Sequence, residues 1–305
     1  MRLLTRSDFD GLACAVLLKE IGIMDNWMFV HPKDVQDGRY PGDPNDIVAN
    51  VPYIEGCGYW FDHHSSEDER LDMTMDYKGM SKSAKSAARV IWEYFGGHEK
   101  FGDKFDEMLH YVDKVDSGDL NAEEIADPKG WIMLGFIMDP RTGLGRYRHF
   151  NVSNYQLMEH LIDYCRELPI HEILSLPDVK ERVDLYLKRD KKFREMLQER
   201  TEMFSNVAIL DLREQDEIYP GNRFTLYSMF PQCNISIQII WGKMKQNTVF
   251  SVGHSILNRT SKVDVGSVML KFGGGGHKQV GTCQVPHDEA DAVLGQMVAM
   301  FIDKG

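Results

Sequence analysis

The sequence predicts an α/β protein of two domains. The N-terminal domain has a mostly parallel sheet flanked by helices, and the smaller C-terminal α/β domain has a mixed sheet. A long helix joins them. Three observations carry this prediction. The chain has 305 residues, more than the ~100–200 of a typical single domain. In its first third, short apolar runs alternate with helical stretches, the pattern of a parallel sheet. Near Pro177 a long charged amphipathic stretch begins, and β-rich segments follow it. The expected boundaries are 1–178, a connecting helix at 179–204, and 205–305.

Residues 2–5 read as a short apolar strand, followed by the turn Ser7-Asp8-Phe9-Asp10-Gly11. A helix of small and aliphatic residues follows at 12–21, with Gly22 placed to stop it. Strands are expected at 27–30, 46–50 and 58–61, with a Pro, Gly, Asp and Asn loop at 41–45. The strand at 58–61 runs directly into Asp62-His63-His64. Helices are expected at 86–95, 105–112 and 154–166. The connecting helix carries Val183, Leu185, Tyr186, Phe193 and Leu197 as its apolar positions. Beyond it, 207–212, 223–229, 235–241 and 248–257 are β-rich, and a helix at 289–301 closes the chain.

Composition excludes several classes. Asp and Glu total 47 against 35 Lys and Arg, a formal net charge of −12. Such a surface repels a long polyanion, while a pocket for a small phosphorylated ligand needs only local cations. No apolar run approaches the ~20 residues of a membrane helix, so no membrane partner is expected. The start, MRLLTRSDFDG, has charges where a secretory segment must be apolar. Five scattered cysteines without a C-x-x-C pair suit reduced thiols. The expected location is cytoplasmic.

Four constellations could carry chemistry. Asp8 and Asp10 stand at alternate positions in a turn ahead of a helix, a donor set for hard cations such as Mg²⁺ or Mn²⁺, although an acidic turn with a helix cap has the same sequence. Asp62-His63-His64 sets two imidazoles beside a carboxylate at a strand end. Asp113-Lys114-Val115-Asp116 repeats carboxylates at an element end and alone is a charged loop. Finally, Gly273, Gly274, Gly275 and Gly276 precede His277 and Lys278 between structured flanks, which suits an anion cradle better than a linker. Tyr227, Phe230 and Trp241 read as core rather than base-stacking residues, and Arg146 and Arg148 as a solvated basic loop.

In this order, D-x-D-G, Asp-His-His after a strand, a later Asp and GGGGH near the C-terminus resemble the DHH phosphoesterases with their associated C-terminal domain. The resemblance covers the whole chain. Within the family it is nearest to the exopolyphosphatase-related and oligoribonuclease-like branch, which Asn258-Arg259-Thr260 and Gly281-Thr282-Cys283 also fit. It implies a hydrolase with its site in an interdomain cleft and Mn²⁺ (or Mg²⁺) as cofactor. Asp8, Asp10, His63 and Asp116 match metal ligands. His64 would contact the scissile phosphate, and Asp62 would orient the neighbouring histidine. Arg259, Gly274, Gly275, Gly276 and His277 would bind the far part of the substrate. Family members often dimerise, so a homodimer is one implied state.

Two positions depart from the family pattern. Arg6 stands where H-x-D-x-D has its His, and Asn50 where a metal-bridging Asp belongs. Arg6 has no lone pair to offer and repels a nearby cation, and Asn50 brings no charge. Together they make the site two units more positive. Two unit charges ~4 Å apart interact by about 4 kcal/mol at an effective dielectric near 20, enough to weaken a second ion. One ion rather than two is therefore an expected occupancy, with Arg6 pairing with Asp8 or Asp116 and contacting a phosphate. The preferred function is a metal-dependent phosphohydrolase acting on a short phosphodiester or phosphoanhydride: a dinucleotide, a short single-stranded oligonucleotide or polyphosphate. The alternative is a degenerate nucleotide-binding sensor that keeps the cleft without the two-metal centre.

Overall fold

Strand β1 (Arg2–Thr5) lies between β2 (Asn26–Phe29) and β3 (Asp46–Ala49) in a five-stranded sheet. β4 (Tyr59–Asp62) and β5 (Gly79–Ser81) continue it outward, giving the order β2-β1-β3-β4-β5 with every pairing parallel. The computed structural model describes residues 1–63 and 77–302. Consecutive apolar residues, Leu3-Leu4 and Ile47-Val48-Ala49, are fully buried, as a sheet covered on both faces requires. From β1 the chain moves to one side for β2 and then crosses to the other for β3. In such sheets the reversal opens a crevice at the carboxyl ends of the two strands, where ligands bind.

The longer helices within this unit are α1 (Phe9–Glu20), α2 (Ala87–Tyr94), α3 (Asp106–Asp116), α4 (Gly130–Met138) and α5 (Asn154–Glu167). Residues 9–18 of α1 are all buried, because α1 packs on α2, α3 and α5 as well as on β1. Its small residues Gly11, Ala13, Cys14 and Ala15 permit that close approach. α1 starts at Phe9, ahead of the expected residue 12, because extended Asp8 caps it by accepting the Gly11 N–H at 3.0 Å. The acidic run Asp113 to Asp116, expected as a loop, is the last turn of α3.

The chain divides into two compact units, 1–119 with 128–186 and 120–127 with 187–305. The boundary at Tyr186/Leu187 falls within α6 (Pro177–Arg200). The second unit holds a mixed sheet of β6 (Thr201–Phe204), β7 (Val207–Asp211), β8 (Ile235–Trp241), β9 (Thr248–His254), β10 (Gly275–His277) and β11 (Val280–Val285), in the order β10-β11-β9-β8-β7-β6. Only β7 and β8 pair in parallel. Ile235, Ile237 and Ile239 alternate into a core with Phe250 and Val252, facing α7 (Val265–Lys271) and α8 (Ala290–Ile302).

Two expectations need correction here. Residues 201–204 leave the connecting helix and pair with β7 as a strand. The β-rich reading of 223–229 also fails, because Thr225–Met229 is helical. Asn222 starts that turn by accepting the Phe224 N–H at 3.0 Å, and Tyr227 is buried with its hydroxyl 2.8 Å from Ser236 Oγ. Tertiary anchoring overrides the local aromatic and β-branched preference.

Candidate metal centre

Asp10 is the second residue of α1 and is 1% exposed. Its Oδ2 accepts the Ala87 N–H at 2.9 Å and its Oδ1 the Ala88 N–H at 2.8 Å. These are the first amides of α2, so a buried carboxylate closes a helix N-terminus. Burial first, then the charges of Asp116 and Asp8, hold its pKa well above the ordinary carboxylate value against the pull of the two amides. A carboxylate in that position is stabilised by an added cation.

His63 follows β4 and places its Nδ1 3.3 Å from the Ala84 carbonyl oxygen. A carbonyl can only accept, so Nδ1 carries a proton and Nε2 is the ring nitrogen turned inward, the one available to a metal. Nε2 stands 3.6 Å from Asp10 Oδ2 and 3.3 Å from Asp116 Oδ2. Asp116 is the last residue of α3. One ligand atom from each of Asp10, His63 and Asp116 lies within 4.8 Å of the others. Two ligands ~2.1 Å from an ion and 90–120° apart are separated by about 3.0–3.6 Å, so the observed spacings fit one divalent ion bound by one nitrogen and two carboxylates.

Asp8 has a different set of contacts. Its Oδ2 lies 2.9 Å from Arg6 Nε, and its Oδ1 accepts from Asn50 Nδ2 at 3.0 Å and from the Gly11 N–H at 3.0 Å. The two residues that depart from the family pattern thus converge on one carboxylate and occupy both its oxygens. Asn50 directly follows β3 at φ +56°, a left-handed conformation that asparagine tolerates better than most residues. Gly11 is required for its own reason: a Cβ there would sit 1.9 Å from the Arg6 carbonyl oxygen. Of the four expected ligands, the structure gathers Asp10, His63 and Asp116 into one cluster and sets Asp8 in the grip of Arg6 and Asn50.

Asp62 is buried at the end of β4. His64 lies outside the described residues. A cation that sequence reasoning passed over is Arg141, in the turn after α4, whose Nε is 2.7 Å from Asp139 Oδ1. Its side chain is about half exposed; the protein around it works to lower its pKa, but Asp139, Asp8 and Asp116 together raise it, so Arg141 stands in the field of the cluster. The signal available was Asp139-Pro140-Arg141 directly after an unbroken apolar helix. Arg146 instead folds back over Gly143, where a Cβ would meet its guanidinium at 2.2 Å.

In the second unit the glycine run forms a helix end and an edge strand. Gly273, at φ +73°, follows α7, and its N–H bonds to Leu270 O while that of Gly274 bonds to Met269 O, the paired bonds of a Schellman stop. A Cβ on Gly274 would meet Thr282 O at 2.1 Å, and one on Gly276 would meet Val280 O at 2.3 Å. Gly273 and Gly275 both have open space, with nothing within 4 Å of a Cβ, but Gly273 is held at positive φ and Gly275 is not. Gly276 and His277 pair with Gly281 and Val280. Arg259 lies in an exposed turn, its Nε donating to Ile256 O at 2.9 Å.

No protein-family model matches the chain, and no curated protein does. Among solved structures, a pGpG-specific phosphodiesterase, PggH from Vibrio cholerae, is 47% identical with a TM-score of 0.85, over 100% of this chain and 99% of that one. The chain belongs to the DHH phosphoesterase family. An exopolyphosphatase-related protein from Bacteroides fragilis shares the fold at 12% identity and TM-score 0.51, over 98% of this chain and 91% of that one. So does an exonuclease RecJ bound to manganese, at 13% identity and TM-score 0.50, over 98% and 89%. Members of this family are hydrolases of phosphate esters, and the Asp10–His63–Asp116 group is this phosphoesterase's candidate metal centre.

Proposed function

We propose that the protein hydrolyses a short linear dinucleotide of the pGpG type, using one Mn²⁺ or Mg²⁺ ion and the built-in cation Arg6. The observation that carries this reading is the 47% identity to the pGpG-specific phosphodiesterase along both whole chains. Water adds across the internal phosphodiester, the P–O bond to the leaving hydroxyl breaks, and two mononucleotides result.

Asp10, His63 and Asp116 would hold the ion, which supplies Lewis-acid polarisation and a more acidic water at neutral pH. The chain's own residues do the rest. The Ala84 carbonyl keeps the proton of His63 on Nδ1, so Nε2 remains a donor atom for metal. The α2 amides fix the direction of the Asp10 carboxylate. Arg6, anchored by Asp8, offers permanent charge to the phosphate oxygens as negative charge grows on them. Arg141 adds a second cation held by Asp139. Asp8 serves as the anchor of Arg6 in this reading and not as a metal ligand. His64 contacts the scissile phosphate, Asp62 supports the histidine pair, and Arg259, Gly274, Gly275, Gly276 and His277 bind the remainder of the substrate.

The test combines elemental analysis of the purified protein with Mn²⁺-dependent hydrolysis of pGpG, a longer single strand and polyphosphate. One ion per chain and fastest turnover of pGpG are expected. Less than one ion, no turnover and retained nucleotide binding would replace this reading with the sensor.

A further inference from the structure

Asp10 and Asp116 come from different helices, so their separation depends on how α1, α2 and α3 are locked together. The lock is a short polar chain that no catalytic role uses. Ser86 caps α2, its Oγ accepting the Arg89 N–H at 3.1 Å. The same hydroxyl donates to Asp113 Oδ1 at 2.7 Å. The other oxygen of Asp113 accepts two bonds from the Arg89 guanidinium, at 3.0 Å from Nε and 2.8 Å from Nη2. Asp113 is 9% exposed and stands three residues before Asp116 on α3. One side chain therefore ties α3, which bears Asp116, to the cap and first turn of α2, whose amides grip Asp10.

We propose that Asp113 is a positioning residue for the metal centre, setting the distance between the Asp10 and Asp116 carboxylates through Ser86 and Arg89. The proposal rests on the one-ion hydrolase reading. Because Ser86 Oγ must accept from Arg89 N–H, its proton goes to Asp113, so Asp113 must present an acceptor there. It must also present an acceptor to Arg89. A carboxylate does both. An amide cannot, since in Asp113→Asn the NH₂ group would face either the Arg89 guanidinium or the cap hydroxyl. Residues behind metal ligands typically change metal affinity by about 10–100-fold when altered.

The experiment titrates Mn²⁺ into chelator-treated protein by calorimetry, follows the bound ion by electron paramagnetic resonance, and measures pGpG kinetics at low and high Mn²⁺. Asp113→Asn should weaken Mn²⁺ binding about 10-fold or more and broaden the bound-ion spectrum. At low Mn²⁺ its kcat falls, at high Mn²⁺ kcat recovers, and KM for pGpG stays near the parent value. A purely structural role would lower Tm while leaving Mn²⁺ affinity of the folded protein within twofold of the parent, and that result overturns the proposal. If Asp113→Asn does not fold, Ser86→Ala decides, since it removes only the hydroxyl and keeps the Arg89–Asp113 ion pair. Weakened Mn²⁺ binding in Ser86→Ala, restored in Ser86→Thr, supports the proposal, and unchanged binding refutes it. A parent protein that binds no Mn²⁺ at all would overturn the hydrolase reading and this inference with it. A parent that binds Mn²⁺ beside unaffected variants overturns the inference alone.

Discussion

At the scale of single residues, the centre is governed by which cation each carboxylate meets. Arg6 and Asn50 saturate Asp8, whereas Asp10 and Asp116 are left facing one another across His63. Restoring the family pattern with Arg6→His and Asn50→Asp should release Asp8 and raise the Mn²⁺ content from one to two per chain by elemental analysis. Content that stays at one would show that the second site is lost for other reasons. Arg6→Ala alone should lower kcat about 10²-fold, the usual loss when one preorganised charge at a developing oxyanion is removed, with KM less affected. Asp10 adds a pH dependence. Its folded pKa lies well above the ordinary 3.8, first through burial and then through Asp116 and Asp8. For a raised pKa the stabilising contribution is full below the unfolded value and is lost as pH rises through the folded one. The metal-free protein therefore carries a penalty that grows as pH rises from the unfolded toward the folded pKa, and bound Mn²⁺ relieves it. The gain in Tm on adding Mn²⁺ should increase as pH rises above the ordinary carboxylate value of 3.8, and a gain independent of pH would contradict this account.

The lesson at the scale of elements lies in the glycine run. Its composition suggested an anion cradle, and three of the four glycines also have structural reasons: Gly273 stops α7 at positive φ, and Gly274 and Gly276 lie against the backbone of β11. Gly274→Ala should cost about 1–3 kcal/mol as the methyl is forced onto Thr282 O, read as a lower denaturation midpoint. Gly275→Ala should leave stability unchanged, and a rise in KM for pGpG would then mark Gly275 as a substrate contact. The parallel strands were legible because a doubly covered sheet writes itself as apolar runs, and the ends of β1 and β4 were legible because the acids and histidines begin where those runs stop. The start of α1 was not, since a capping Asp and a metal-binding Asp look alike in sequence. Nor was the Asp113–Ser86–Arg89 lock, which joins residues 27 apart through hydrogen bonds that leave no periodic trace. Thr225–Met229 misled for a related reason, its helix being held by Asn222 and Tyr227 rather than by its own composition.

For the whole molecule the deciding quantity is the net charge of −12 set against a few local cations, Arg6, Arg141 and a bound divalent ion. In the proposed reaction Arg6 and Arg141 attract phosphate at short range, whereas the net negative charge repels it at long range. A dinucleotide feels mostly the first, and a strand of about ten nucleotides feels both along its length. Raising ionic strength from ~0.01 M to ~0.1 M shortens the Debye length from about 30 Å to about 10 Å, which screens the distant repulsion more than the contacts inside the site. Hence kcat/KM for the longer strand should start far below that for pGpG and rise with salt, while the value for pGpG changes little. A basic groove along the backbone would give the opposite slope, because releasing condensed counterions makes binding weaken steeply as salt increases. Steady-state kinetics on both substrates across that range separates the two. A longer-strand rate that falls with salt would mean that local cations outweigh the surface charge, and that the preference for a short substrate has a steric origin.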